Sequence, residues 1–158
     1  MEANGLKTLS ALAFRKLRDK HPTVPVFALP KVKYSDKTAN GLTKSIIDFI
    51  NLNNGQAERI NNMGRQLDER KSYSDTLGNS RTIGSVKWIK GTGTNGTSDI
   101  SATIKGKSVK VEVKIGKDKQ SNFQKEYQQE VERAGGLYFI AKDFKSFYEW
   151  YKLTFEKP

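Results

Sequence analysis

Two short runs of alternating side chains, Ile100 to Ile104 and Val109 to Ile115, limit the folds open to this chain more than any other feature. In the first, Ile100, Ala102 and Ile104 alternate with Ser101 and Thr103. In the second, Val109, Val111, Val113 and Ile115 alternate with Lys110, Glu112 and Lys114. A period of two belongs to a strand with one buried and one wet face. Between the runs lies Lys105-Gly106-Lys107-Ser108. A two-residue turn centred on Gly106-Lys107, with Gly first as a type II′ turn prefers, would close a hairpin. The expected register sets Ile104 against Val109, Ala102 against Val111 and Ile100 against Val113. A slip of one residue would turn one strand's valines to water, so the apolar pattern decides which face is buried.

The wet face of this hairpin carries the chemistry. Asp99 is expected opposite Lys114, and Ser101 opposite Glu112, so that Asp99 and Glu112 are diagonal neighbours roughly 7–8 Å apart at the backbone. Two short acidic side chains at that spacing can converge on one hard cation. Packing alone offers a plainer account, an exposed face with cross-strand ion pairs contributing about 0–1 kcal/mol each.

Composition favours the first account. The 158 residues suit a single folded domain, and 28 Lys and Arg against 17 acidic residues give a net charge of +11, which points to a polyanionic partner. With no cysteine there is no thiolate site, so any metal must be held by oxygen. No apolar run approaches the ~20 residues of a membrane span, and Met1-Glu2-Ala3-Asn4-Gly5 lacks signal-peptide features. The expectation is a soluble protein of a bacterial or infected-host cytoplasm, with no membrane partner. Gly91 to Thr97 is glycine-rich but opens no helix and ends in no Lys-Ser/Thr pair, so no nucleotide cofactor is expected. The single histidine, His21, sits beside Pro22 in a linker-like stretch, which argues against a histidine-dependent nuclease.

Elsewhere the pattern predicts a basic amphipathic helix over Leu6 to Lys20, with Leu9, Leu12, Ala13 and Leu17 on one side. An extended proline-punctuated segment follows from His21 to Pro30. A second helix is expected over Leu42 to Leu52, capped by Gly55, then a short strand over Gln56 to Asn61. Arg65 to Arg81 shows no periodicity and reads as a mobile loop or flap. Ile83 to Lys90 regains strand character. A helix from Asn122 to Ala134 opens with Ser121-x-x-Gln124, a capping-box spacing, and ends at Gly135-Gly136. Leu137 to Ala141 is a short apolar run, expected as a central strand. Asp143 then caps a last helix with more aromatic residues than one stripe holds, most of them expected in the core or at a subunit interface.

The order helix, strand, strand, strand, helix, strand, helix, with Asp on the second core strand and Glu-x-Lys on the third, resembles the PD-(D/E)xK nuclease superfamily. Arg59-Ile60-Asn61-Asn62-x-Gly64, Gly96-x-Ser98-Asp99-Ile100, Glu112-Val113-Lys114, Asp118-x-x-Ser121-x-x-Gln124 and Ala134-Gly135-Gly136-x-Tyr138 together are similar to its VRR-NUC subfamily, in the small stand-alone form of phages and bacteria. The resemblance covers about Leu42 to Ala141. It implies an α/β, mixed-sheet, restriction-endonuclease-like core over residues 41–158. Residues 1–40 would be an N-terminal basic helix and arm, and the aromatic helix would lie at the C-terminus.

The resemblance also implies an activity, a metal-dependent DNA endonuclease. Asp99 and Glu112, with the Val113 carbonyl, match the residues that hold Mg²⁺ or Mn²⁺. Lys114 matches the lysine that orients the attacking water, and Gln124 the helix glutamine of the site. The family usually adds an acidic residue from its first helix. Here Ala39 or Asn40 holds that place, and Glu58 is the nearby substitute. Products would carry a 5′-phosphate and a 3′-hydroxyl. Arg59, Ser98, Lys105, Lys107, Lys110, Lys117 and Lys119 are expected to contact nucleic acid, reading shape through phosphates rather than sequence. The stand-alone members suggest a homodimer acting on branched DNA such as four-way junctions. Two other classes share these features: a non-catalytic DNA- or RNA-binding module, and a sequence-specific restriction-type nuclease whose base-reading element would be the Arg65 to Arg81 loop or the N-terminal arm.

Overall fold

The structure, a computed structural model, describes residues 5–61, 64–91 and 93–156. In chain order its elements are α1 (Gly5–Lys20), α2 (Ala39–Leu52), β1 (Gln56–Arg59), β2 (Arg65–Asp68), β3 (Lys71–Ser74), β4 (Ser80–Ile83), β5 (Val86–Ile89), β6 (Ile100–Ile104), β7 (Lys107–Val113), α3 (Asn122–Arg133), β8 (Leu137–Ala141) and α4 (Phe144–Tyr151). They fall into two compact units: Met1–Ile60 with Gly96–Pro158, and Asn61–Asn95. The first is a mixed α+β body around a four-stranded sheet of order β1-β6-β7-β8, antiparallel at the first two pairings and parallel at the last.

One face of the sheet is apolar because alternation makes it so. Ile100, Ala102 and Ile104 of β6 and Val109, Val111 and Val113 of β7 are all buried. Against them lie Leu42, Ile46, Phe49 and Ile50 of α2 and the aromatic side of α4, with α1 packed on both helices through Leu9. Phe49 is the hub: its ring meets Phe144, Phe147, Tyr148 and Tyr151 edge-on, at centroid distances of 5.7, 6.1, 5.5 and 5.0 Å. The surplus aromatics of the last helix are therefore mostly core, as expected.

The ends of the helices follow from local chemistry. Thr38 caps α2 by accepting the Gly41 N–H, and Asp143 caps α4 by accepting that of Ser146. The α3 helix ends in a Schellman motif: Gly135 takes φ +81°, and the N–H groups of Gly136 and Gly135 donate to the carbonyls of Val131 and Glu132. At the end of α2 the left-handed residue is Asn54 (φ 60°) rather than Gly55, which instead donates to Ile50 O and has no room for a Cβ against Ile50. Asn54→Gly is expected to raise stability by about 0.5–1 kcal/mol, because glycine adopts that φ without a steric cost. Urea denaturation would show it as a higher midpoint at unchanged slope.

Several sequence expectations need correction. The hairpin turns at Lys105-Gly106, both with positive φ (47° and 78°), so Ile104 pairs with Lys107, Ala102 with Val109 and Ile100 with Val111. This register is two residues from the one expected. Positive φ at both central residues is the type I′ preference, whose twist matches the strands. Leu137–Ala141 is an edge strand rather than a central one, its faces covered by α3 and α4. The first strand stops at Arg59. The proline-punctuated stretch makes a 3-10 turn at Val26–Ala28 and buries Leu29. Beyond it, Tyr34 donates to Asp48 of α2 at 3.0 Å and Asp36 accepts the Phe144 N–H at 3.1 Å, which ties the segment to the body.

The second unit replaces the expected loop. The pairs β2–β5 and β3–β4 share one register, with Arg65 opposite Ile89 and Lys71 opposite Ile83, and the Glu69 N–H donates to Ser85 O between them. The segment Arg65 to Ile89 is a two-stranded ribbon.

Candidate active site

Glu112 lies in mid-β7 on the polar face, yet it is only 2% exposed. Alternation puts its side chain opposite the valine core, and α3 covers that side. Gln124, in the first turn of α3, donates its amide to Glu112 Oε1. The same side chain accepts the Ser121 N–H at 2.9 Å through Oε1, while the Ser121 hydroxyl accepts the Gln124 N–H at 3.3 Å. The capping box and the site role therefore coexist: the oxygen end of the amide caps the helix, and the nitrogen end holds the carboxylate.

Lys114 is buried beside it. Its Nζ lies 3.2 Å from Glu112 Oε1 and 3.3 Å from Asp118 Oδ2, one turn of chain further on. Burial works against its charge, but the bonds to Glu112 and Asp118 outweigh this and hold its ammonium above the ordinary lysine range. Glu112 moves the other way. Burial, then the neighbouring Asp99 carboxylate, push its carboxyl up to about 7, although Lys114 pulls it down. Its second oxygen, Oε2, has no hydrogen-bond partner among the described residues.

Asp99 sits at the head of β6, and extending the observed register by one step sets it across from Glu112, closer than the diagonal arrangement expected. Its Oδ2 accepts the Val113 N–H at 2.8 Å. A strand residue's N–H and C=O point the same way, so the Val113 carbonyl lies on the Asp99 side of β7 as well. The turn that presents Asp99 is seated by Gly96, at φ +78°, where a Cβ would stand 2.4 Å from the backbone of Phe123 and 2.8 Å from the Gln124 nitrogen. Ser98 is buried, donating its hydroxyl to Ile100 O at 3.1 Å. Gly96→Ala is expected to cost about 2–5 kcal/mol, from a strained φ and contact with backbone that cannot yield. Unchanged stability by urea denaturation would show that the turn is not seated this way.

The remaining expected residues are placed as follows. Glu58 is exposed on β1, across from Ser101 on the same face as Asp99, and its carboxylate makes no hydrogen bond or ion pair with the described residues. Arg59 donates to Asn40 Oδ1, in the first turn of α2, at 3.0 Å. Lys105 donates to Phe155 O and Lys110 to Ser101 Oγ at 2.6 Å, so both are engaged within the body. Lys107, Lys117 and Lys119 are exposed. Among the described residues there is no group of three or more His, Asp or Glu able to hold a metal, so Asp99 and Glu112 are a carboxylate pair. An orphaned, buried carboxylate oxygen beside a second carboxylate is nonetheless the donor set that suits a hard cation.

Two residues of the site went unassigned from sequence. Asp118 holds Lys114 from the far side. Tyr138, across from Lys110 on β8, turns a buried hydroxyl into the site; Gln120 lies alongside, but no bond of good geometry forms. Burial, then the Glu112 charge, push this phenol upward, so it stays protonated. A lone phenol in an otherwise apolar strand was the available signal. No family model, curated protein or solved structure matches this chain.

Proposed function

We propose that this chain is a divalent-metal-dependent phosphodiesterase that cuts DNA, on a restriction-endonuclease-like core of the PD-(D/E)xK superfamily and its VRR-NUC branch. The observation that carries the reading is the buried, unpartnered Oε2 of Glu112 beside Asp99 and Lys114. Leaving such an oxygen without a donor costs on the order of 1–3 kcal/mol or more, which a bound cation would remove. Asp99, Glu112 and the Val113 carbonyl would hold Mg²⁺ or Mn²⁺, with Glu58, on the same face of the neighbouring strand β1, as the candidate to join them. Once bound, such an ion polarises the scissile phosphate and lowers the pKa of a coordinated water.

The chain's own residues supply the rest. Lys114, fixed between Glu112 and Asp118, places a positive charge where the phosphorane's negative charge develops, and needs no reorganisation to do so. Gln124 fixes the Glu112 carboxylate and, through the capping box, ties it to the start of α3. In-line attack of water on phosphorus, with departure of the 3′ oxygen, leaves a 5′-phosphate and a 3′-hydroxyl. Lys107, Lys117 and Lys119 would meet phosphates, an attraction that salt weakens steeply. The family resemblance extends the proposal to branched DNA and to a homodimer.

The test is cleavage of linear, flap and four-way-junction DNA in Mg²⁺, Mn²⁺ or EDTA. Cutting with either ion, none in EDTA, and preference for the branched substrates is the expected outcome. Cutting that persists in EDTA, or no cutting of any substrate with either ion, sinks the proposal. A second reading, a DNA- or RNA-binding module without catalysis, is favoured by the lack, among the described residues, of three acidic groups clustered closely enough to hold a metal. It requires Asp99→Ala to leave function intact.

A further inference from the structure

The Asn61–Asn95 ribbon carries side chains that nothing within it covers. Tyr73, Ile83, Trp88 and Ile89 are exposed along its strands, Trp88 by 66%, and Leu77 at its tip by 83%. All of β3, β4 and β5 is exposed. An isolated two-stranded ribbon is marginal in water, and an apolar row of this kind marks an interaction surface.

Charge says what the partner is. Each acidic group of the ribbon is already taken by a basic neighbour inside it: Asp68 by Arg70 at 2.7 Å, Glu69 by Lys87 at 2.7 Å, and Asp75 by Arg81 at 3.0 Å. Arg65, Lys71 and Lys90 remain with no carboxylate partner among the described residues. Strand alternation puts Arg65 and Lys71 on one face with Tyr73, Ile83 and Ile89. A second copy of this chain would bring +11 against these cations, whereas a polyanion complements them. The chain leaves the body at Ile60 and re-enters it at Gly96, three residues before Asp99, and the Ile60 N–H donates to Asp99 O at 2.8 Å.

We propose that the ribbon is a nucleic-acid-binding arm that lies in a groove of duplex DNA, with Arg65 and Lys71 on phosphates and Leu77 at the tip. The major groove, about 12 Å wide, admits a two-stranded ribbon. An exposed aliphatic side chain at the end of such an arm can pack on a base face where stacking is already broken, as it is at a branch point. The arm deepens the nuclease reading and rests on it for its substrate, since it supplies a reason for favouring branched over linear duplex.

The experiment measures binding in EDTA, apart from cleavage, by anisotropy of a labelled linear duplex and a labelled four-way junction. Arg65→Ala/Lys71→Ala is expected to weaken both complexes at least 10-fold and to lower the salt-dependence slope by about 2, one for each lost phosphate contact. Leu77→Ser is expected to reduce the preference for the junction. Melting temperature and metal-induced stabilisation should be unchanged in both variants. Parent-like affinity and slope in the double variant overturn the arm, as does a change in oligomeric state at unaltered affinity, which would make the ribbon a clasp between copies. A chain that binds through the ribbon but cuts nothing overturns the nuclease reading and leaves the arm standing.

Discussion

At pH 8 and without metal, the Glu112→Gln protein is expected to melt at a higher temperature than the parent, whereas with Mg²⁺ or Mn²⁺ present its DNA cleavage falls by on the order of 10³-fold. Both effects come from one buried carboxylate. Its pKa is about 7 in the folded chain against 4.5 for the unperturbed group, so between these values the folded state binds the extra proton. The stability that the protonated carboxyl contributes is complete below about pH 4.5 and declines as pH rises towards 7. Above 7 it is gone, a loss of about 3 kcal/mol. Glutamine keeps the shape, cannot ionise and escapes the loss, so its advantage should build from about pH 5 and level off above about pH 7. Added Mg²⁺ or Mn²⁺ should reverse the order by stabilising the parent alone. A melting difference that does not vary between pH 5 and pH 8 would show that Glu112 is not held this way.

Lys114→Met is expected to lower cleavage by about 10²–10³-fold while the melting shift caused by Mn²⁺ survives, because both carboxylates remain. The aliphatic stem is kept and only the charge is lost. At pH 5.5, where Glu112 is protonated, the variant should be close to the parent in stability. At pH 8 it should be well below it, because an ionised Glu112 would then lack its ammonium partner. Loss of the metal shift would mean that the lysine organises the carboxylates; retained cleavage would remove it from the chemistry.

Much of the body was legible in the sequence because alternation and capping are local. The two faces of β6 and β7, the capping box at Ser121 and the glycine pair after α3 all follow from neighbouring residues. The hairpin register did not, and the reason is specific. A slip of two residues leaves every side chain on its own face, so the apolar pattern cannot distinguish it. The choice falls to the turn, where Lys105 adopts a positive φ that its side chain gives no reason to expect. Of the ribbon, the strand character of Ile83 to Lys90 was legible and that of Arg65 to Arg81 was not, because its strands are almost wholly exposed and so show no amphipathic period. Strand β8 was misplaced because helices on both faces make an edge strand as apolar as a central one. At the site, Asp99, Glu112, Lys114 and Gln124 come together as expected. The engagement of Lys105 with Phe155 depends on residues distant in sequence and no short motif carries it, and the motif that holds Tyr138 assigns it no place at the site.

The ribbon also bears on how this chain finds its fold. Strands β1 and β6 pair across about forty intervening residues, whereas β6 and β7 are joined by a two-residue turn, so the hairpin can form early and β1 must join it late. Closing forty loose residues would slow that step. Because Arg65 pairs with Ile89 inside the insertion, the open length shrinks to roughly fifteen once the ribbon has zipped, which recovers on the order of 1 kcal/mol of loop entropy. The insertion thus shortens the very loop it creates, and the last strand meets the carboxylate-bearing edge at little more than the entropic cost of an ordinary connection.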